Sequence, residues 1–218
     1  MRRKSAFLLS VCGLLTASAL GASTAVASPA GTGSSASASA GWVRLDAHQL
    51  AKLAADTGRS TRAEGSSEVI PLQWIQSARN GLAASAERNY KAPENGLLRA
   101  RSSTVDLWEL YDIYVIDASG TVALNSHANG LYVAAELNYP GDAKGVLRAR
   151  SSTVASWERF WLYYNDDTGR FALESTANWR FVSMEFNYKG SLQYALRARS
   201  EAVAGSWEEF NIIDSQSA

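Results

Sequence analysis

One cysteine, two histidines and four prolines occur in 218 residues, and each scarcity excludes something. Cys12 is the only thiol and lies in the N-terminal apolar run, so the rest of the chain has no disulfide and no cysteine-based metal site. His48 and His127 stand far apart, which leaves no His-rich metal constellation and no Ser–His–Asp set to assemble. No metal and no cofactor is therefore expected. Positive charge is not in excess either. Without residues 1–27 the chain carries 18 basic against 21 acidic residues, a net charge of −3. Such a balance is unsuited to displacing counterions from nucleic acid or to holding an anionic membrane surface.

What is present at the N-terminus has the form of an export signal. Arg2, Arg3 and Lys4 precede an apolar run from Ala6 to Ala22, and Ala25-Val26-Ala27 offers a small-x-small cleavage site. Residues 1–27 thus read as a signal peptide, and the expected location is extracellular with no membrane attachment after cleavage. Residues 28–41 are almost wholly Ser, Ala, Gly, Pro and Thr, a composition that cannot bury enough apolar surface to fold. A short helix is expected over 46–55, capped by Asp46, with Leu50, Leu53 and Ala54 at helical spacing. Thr57 to Glu68 returns to Gly, Ser, Thr and charge, so 28–68 reads as a linker holding one short helix.

The remainder is repetitive. Asn80-Gly81-Leu82 returns as Asn129-Gly130-Leu131 after 49 residues, and Asn178 follows at the same interval. Glu87, Glu136 and Glu185 keep that spacing, as do the Asn-Tyr pairs at 89/90, 138/139 and 187/188. Leu98-Arg99-Ala100-Arg101 returns at 147–150 and 196–199. Trp108-Glu109 returns as Trp157-Glu158 and, after one inserted residue (Gly205), as Trp207-Glu208. Residues 69–214 therefore form three copies, 69–117, 118–166 and 167–214.

Each copy reads as four short strands. In the middle copy these are Val122–Leu124, Leu131–Leu137, Val146–Arg150 and Phe160–Tyr164, punctuated by Asn129-Gly130, Pro140-Gly141-Asp142 and Asp167-Thr168-Gly169. Val133, Ala135 and Leu137 alternate with Tyr132, Ala134 and Glu136, as a half-buried strand requires. Three blades are too few for a propeller. Three units closing about one threefold axis make an all-β chain, a β-trefoil, and closure removes exposed strand edges.

The pattern Asn-Gly-Leu-Tyr-Val at 129–133, Leu-Arg-Ala-Arg at 147–150 and Trp-Glu-x-Phe at 157–160 resembles the fascin-like, actin-crosslinking-type trefoil family. Gly169 to Asn178 is similar to that family's inter-repeat strand, while Trp179 departs from it by replacing the turn glycine. The resemblance covers 70–214 and implies a binding module rather than an enzyme. Secreted bacterial relatives of that kind imply an extracellular polysaccharide or glycan as partner and a monomeric state. A protein-interaction or protease-inhibitor trefoil is the alternative.

Candidate residues fall into two groups. Glu109, Glu158 and Glu208 are repeated by symmetry, so nothing drives their acidities apart as a glycosidase pair requires, and they are expected to cap backbone amides. The Arg pairs of Leu-Arg-Ala-Arg should point outward with Glu136 beside them. Two readings stand: a cross-strand Glu–Arg pair in each copy, or an array of Asn129, Glu136, Asn138, Arg148 and Arg150 for sugar hydroxyls or acidic sugars. Trp108, Trp157 and Trp207, with Tyr111, Phe160 and Phe210, recur and read as core. Trp161 and Trp179 do not recur. With Phe160 and Leu162 inward, Trp161 and Tyr163 should face outward, either as stacking platforms for a sugar ring or covered by the N-terminal segment around Trp42.

Overall fold

The computed structural model describes residues 41–56, 68–91 and 94–216. The expected signal peptide 1–27, residues 28–40 of the linker and its stretch 57–67 lie outside the described residues. Strand β1 (Trp42–Arg44) and helix α1 (Ala47–Asp56) precede the repeats. Asp46 and Gln49 close the helix start reciprocally. The Gln49 amide donates to Asp46 Oδ1 at 2.8 Å and the Asp46 amide to Gln49 Oε1 at 2.9 Å. Leu50 and Ala54 are fully buried against the repeats, so tertiary packing rather than length sustains this short helix.

The first copy contributes β2 (Val69–Ser77), β3 (Ala83–Glu87), β4 (Leu97–Ser102) and β5 (Leu110–Val115). The second contributes β6 (Thr121–Ser126), β7 (Leu131–Ala135), β8 (Leu147–Ser151) and β9 (Phe160–Asn165). The third contributes β10 (Arg170–Ser175), β11 (Arg180–Met184), β12 (Leu196–Ser200) and β13 (Phe210–Asp214). All pairings are antiparallel. Hairpins β5–β6 and β9–β10 link successive copies, and β13 pairs with β2 to close the ring. This is the β-trefoil that the repeat predicts.

The core is filled by symmetry-related triplets. Leu98, Leu147 and Leu196 are buried, as are Ala100, Ala149 and Ala198, and Tyr111, Phe160 and Phe210. Each fully buried Leu or Phe contributes about 1.5–3 kcal/mol, so these triplets hold the three copies together. Tyr111 stands where the other copies have Phe, and its hydroxyl donates to the Ala84 carbonyl at 3.0 Å.

A second triplet closes the junction between copies. The Ala100 amide donates to the Tyr194 carbonyl at 2.9 Å, Ala149 to Gly96 at 2.8 Å and Ala198 to Gly145 at 2.7 Å. Gly96 and Gly145 have φ of +83° and +85°, and a Cβ on either would come within 2.7 Å of the facing carbonyl oxygen. Tyr194 occupies the corresponding place with φ +64°.

Three details correct the sequence reading. Strand β7 ends at Ala135, not Leu137. The second face of that strand is not solvated, because Ala134 and Glu136 are as buried as Val133 and Ala135. Trp108, Trp157 and Trp207 are only half-buried, standing at the rim while Tyr111, Phe160 and Phe210 fill the core. Strand β1, in a stretch read as tether and helix, was not foreseen.

Candidate functional site

The repeated polar residues are consumed by the fold. Asn129 Nδ2 donates to the Ala149 carbonyl at 2.8 Å and its Oδ1 accepts from the Leu131 amide at 3.1 Å. Asn80 does the same with Ala100 and Leu82. Arg148 reaches into the neighbouring copy, where Nε donates to the Asn95 carbonyl at 2.5 Å, while Nη1 donates to the Tyr139 hydroxyl of its own copy at 2.7 Å. Arg99 and Arg197 repeat this with Gln193 and Tyr90, and with Lys144 and Tyr188. Arg148 was expected to point outward, but it is a strut between copies.

Glu136 was also expected outward and is 2% exposed. Burial pushes its carboxyl above the usual range, and the charges of Arg150 and Arg148 pull it back. The ion pair with Arg150 recurs as Glu87–Arg101 and Glu185–Arg199. The cross-strand pair is thus real, but its acid is buried beneath the half-exposed Arg150. Asn138 is exposed in the turn after β7 and does not line the groove described below.

The Trp-Glu carboxylates cap backbone amides. Glu109 accepts from Asp106 at 2.9 Å, Glu158 from Ala155 at 2.8 Å and Glu208 from Ala204 at 3.3 Å. Ser85 and Ser200 add side-chain bonds to Glu109 and Glu208. Each carboxylate is therefore tied to its own loop.

The copies differ on the outer face of the β9–β10 hairpin. Trp161 and Tyr163 point away from the core as expected but are only 9% and 6% exposed, because β1 pairs along the edge of β9 and its side chains pack against their cluster. Strand β1 pairs with β9 in the register Trp42↔Asn165 and Arg44↔Tyr163, and Trp42 packs on a separate cluster of Trp161, Tyr163, Ala172, Phe181 and Val203. The Arg44 guanidinium sits 4.9 Å from the Trp161 ring. Tyr163 is no platform. Its hydroxyl donates to Glu174 Oε2 at 2.7 Å, inside the cluster.

Glu174 stands where the other copies have Asn125 and Gln76, and it is fully buried. Burial raises its carboxyl above the usual range against the smaller opposing effects of Tyr163 and Arg44. Its Oε1 and the nearby Trp161 Nε1 have no hydrogen-bond partner among the described residues.

Trp179 remains open. It is 38% exposed, and its ring centroid lies 4.6 Å from that of Trp161 at an interplanar angle of 45°. The two indoles line a groove of about 340 Å³ with Thr121, Ala155, Ser156, Arg159 and Thr176. Arg159 pairs with Asp117 at 3.4 Å. Burial raises the Asp117 carboxyl, but hydrogen bonds from Ser119 and Thr121 outweigh this and hold it below the usual range. Of the eight residues singled out in the sequence, only Trp161 and Trp179 meet in this groove. Arg159, Thr176 and Glu174 were missed. The signal for them was divergence, because Arg159 aligns with Leu110 and Glu209, and Thr176 with His127 and Ala78.

Among the described residues no group of three His, Cys, Asp or Glu could hold a metal, and no helix is long and apolar enough to cross a membrane.

No family model matches the sequence, and no curated protein matches it. Solved structures do match in fold. A designed three-fold symmetric protein, ThreeFoil, superposes with a TM-score of 0.52 at 13% identity over 65% of this chain and 97% of its own. A Caenorhabditis elegans protein of unknown function gives 0.53 at 8% identity, over 70% of this chain and 99% of its own. A Polyporus squamosus lectin, solved with Neu5Acα2-6Galβ1-4GlcNAc, gives 0.50 at 14% identity, over 65% of this chain. The match spans about half of the lectin's length (48%). At these identities the likeness establishes the β-trefoil fold.

Proposed function

We propose that this chain is a secreted glycan-binding module that seats a sugar ring on Trp179 at the mouth of the groove. The observation that carries the reading is the Trp179 turn. In the other copies this position is Gly81 and Gly130, with φ of +71° and +69°, and Trp179 keeps φ at +55°. A bulky side chain in that conformation costs about 1–2 kcal/mol, which folding alone gives no reason to bear. The result is an indole held tilted against Trp161 and partly open to solvent. Around it stand the hydroxyls of Ser156, Thr121 and Thr176 and the guanidinium of Arg159. An apolar plate edged by donors and acceptors suits a ring that presents C–H on its face and hydroxyls at its rim.

The fascin-like resemblance and the lectin among the structural neighbours are consistent with this reading, and the N-terminal signal supports export. Retention on insoluble chitin, cellulose, xylan and β-glucan tests the proposal. The chain should bind at least one, and Trp179→Ala should weaken binding about tenfold, the scale of one stacking contact of about 1.4 kcal/mol. Retention by none of them, or full retention by Trp179→Ala, would end it.

A further inference from the structure

The third copy departs from the other two at a second place, where it meets the first. Phe186 replaces Leu137 and Arg88, Tyr194 replaces Gly145 and Gly96, and Arg79 replaces Ala128 and Ala177. Structure brings these three substitutions together beside Trp207, whose loop carries the inserted Gly205. Phe186 and Trp207 meet edge to face, with centroids 6.0 Å apart at 86°, and Tyr194 lies 5.5 Å from Phe186 on another side. The Arg79 guanidinium lies 4.6 Å from the Trp207 ring and 5.5 Å from the Phe186 ring.

Arg79 contrasts with the arginines that are held in ion pairs. Arg101, Arg150, Arg199, Arg159 and Arg180 each pair with a carboxylate. Among the described residues no carboxylate lies within ion-pairing distance of Arg79, although it is exposed and its guanidinium lies against two rings. A cation–π contact does not use the guanidinium N–H groups, which leaves a fork of donors able to take a carboxylate. Phe186, 37% exposed, offers an apolar surface beside them. No symmetry-related residue builds an equivalent, since Ala128 and Ala177 present only a methyl group.

We infer that Arg79, Phe186 and Trp207 form a second binding site, specific for an acidic sugar residue. The carboxylate would lie on the Arg79 fork and the C–H face of the same ring on Phe186. This site shares no residue with the Trp179 groove and stands or falls separately from it.

Affinity electrophoresis of the full chain through gels containing polygalacturonate or highly methyl-esterified pectin tests the assignment. The two polymers share a backbone and differ in carboxylate charge. Polygalacturonate should retard the chain, and esterified pectin should retard it at least fivefold less. Arg79→Ala should fold as the wild type does, because alanine already stands at both equivalent positions, and should lose the polygalacturonate retardation. Arg79→Lys, which keeps the charge without the planar fork, should lose most of it. Trp179→Ala should retain it, so failure of the groove reading would leave this result intact. Equal retardation by both polymers, none by polygalacturonate, or unchanged binding by either Arg79 variant would overturn the assignment.

Discussion

The turn at Asn129-Gly130 and the turn at Asn178-Trp179 occupy the same place in successive copies, yet they are satisfied differently. At the first, glycine accepts the left-handed backbone freely and Asn129 uses both ends of its amide. At the second, Trp179 is forced into the same conformation. Asn178 keeps its bond to the Ala198 carbonyl at 2.9 Å, while its Oδ1 has no partner among the described residues. The repeated turn is optimised for folding and the divergent one is not. Residues that the copies share carry the structure, and among those at which they differ, two groups reach the surface, around Trp179 and around Arg79.

If that division holds, the largest stability losses should come from the shared set. Arg148→Ala removes the strut to Asn95 and Tyr139 and leaves buried Glu136 with one cation fewer, an expected loss of about 3 kcal/mol in urea unfolding. A loss below about 1 kcal/mol would mean that the repeated arginines are dispensable to folding. Trp42→Ala removes part of the cover over Trp161 and Tyr163. It should cost about 2 kcal/mol and raise the accessibility of both rings to an aqueous fluorescence quencher.

Smaller effects should mark the divergent set. Trp179→Gly and Trp179→Ala lose the same contact with Trp161, but glycine also relieves the positive φ. The glycine variant should therefore be more stable than the alanine variant by about 1 kcal/mol in thermal unfolding, with neither retaining the groove. Equal stability would show that the turn is unstrained.

Glu174→Gln sets a pH test. Burial raises the Glu174 carboxyl in the folded chain, so folding favours its protonated form. That contribution is fully present below the ordinary carboxylate range and is lost as the pH rises through the raised value. Glutamine can still accept from Tyr163 but carries no charge. The variant should gain a few degrees in Tm at pH 7, on the order of 1 kcal/mol, and the gain should vanish near pH 4. A gain that persists at pH 4 would place the cause elsewhere.

The fold was legible because repetition states it three times. Leu98, Leu147 and Leu196 must occupy equivalent environments, and the only closed arrangement of three such units buries them together. The helix start was legible too, since Asp46 and the spacing of Leu50 and Ala54 are local signals. The candidate site was legible in part. Divergence marked Trp161 and Trp179, and the two do meet. It could not tell that Trp42 and Arg44 pack against the Trp161 cluster, because strand period assigns a side to a residue but not what covers that side. Nor could it show that Glu136 and Arg148 are internal. In a closed trefoil the face turned from the core of one copy packs on its neighbour, so outward from the strand is not outward to water.

By itself, then, the sequence determined the number of copies, the four strands in each and the turns between them, all consequences of local pattern and exact spacing. Only the tertiary structure decided which outward residues meet solvent. It packed Trp42 and Arg44 against the Trp161 cluster, left Trp179 open, and gathered Arg79, Phe186 and Trp207 from opposite ends of the repeat array, because ring closure sets the last copy against the first.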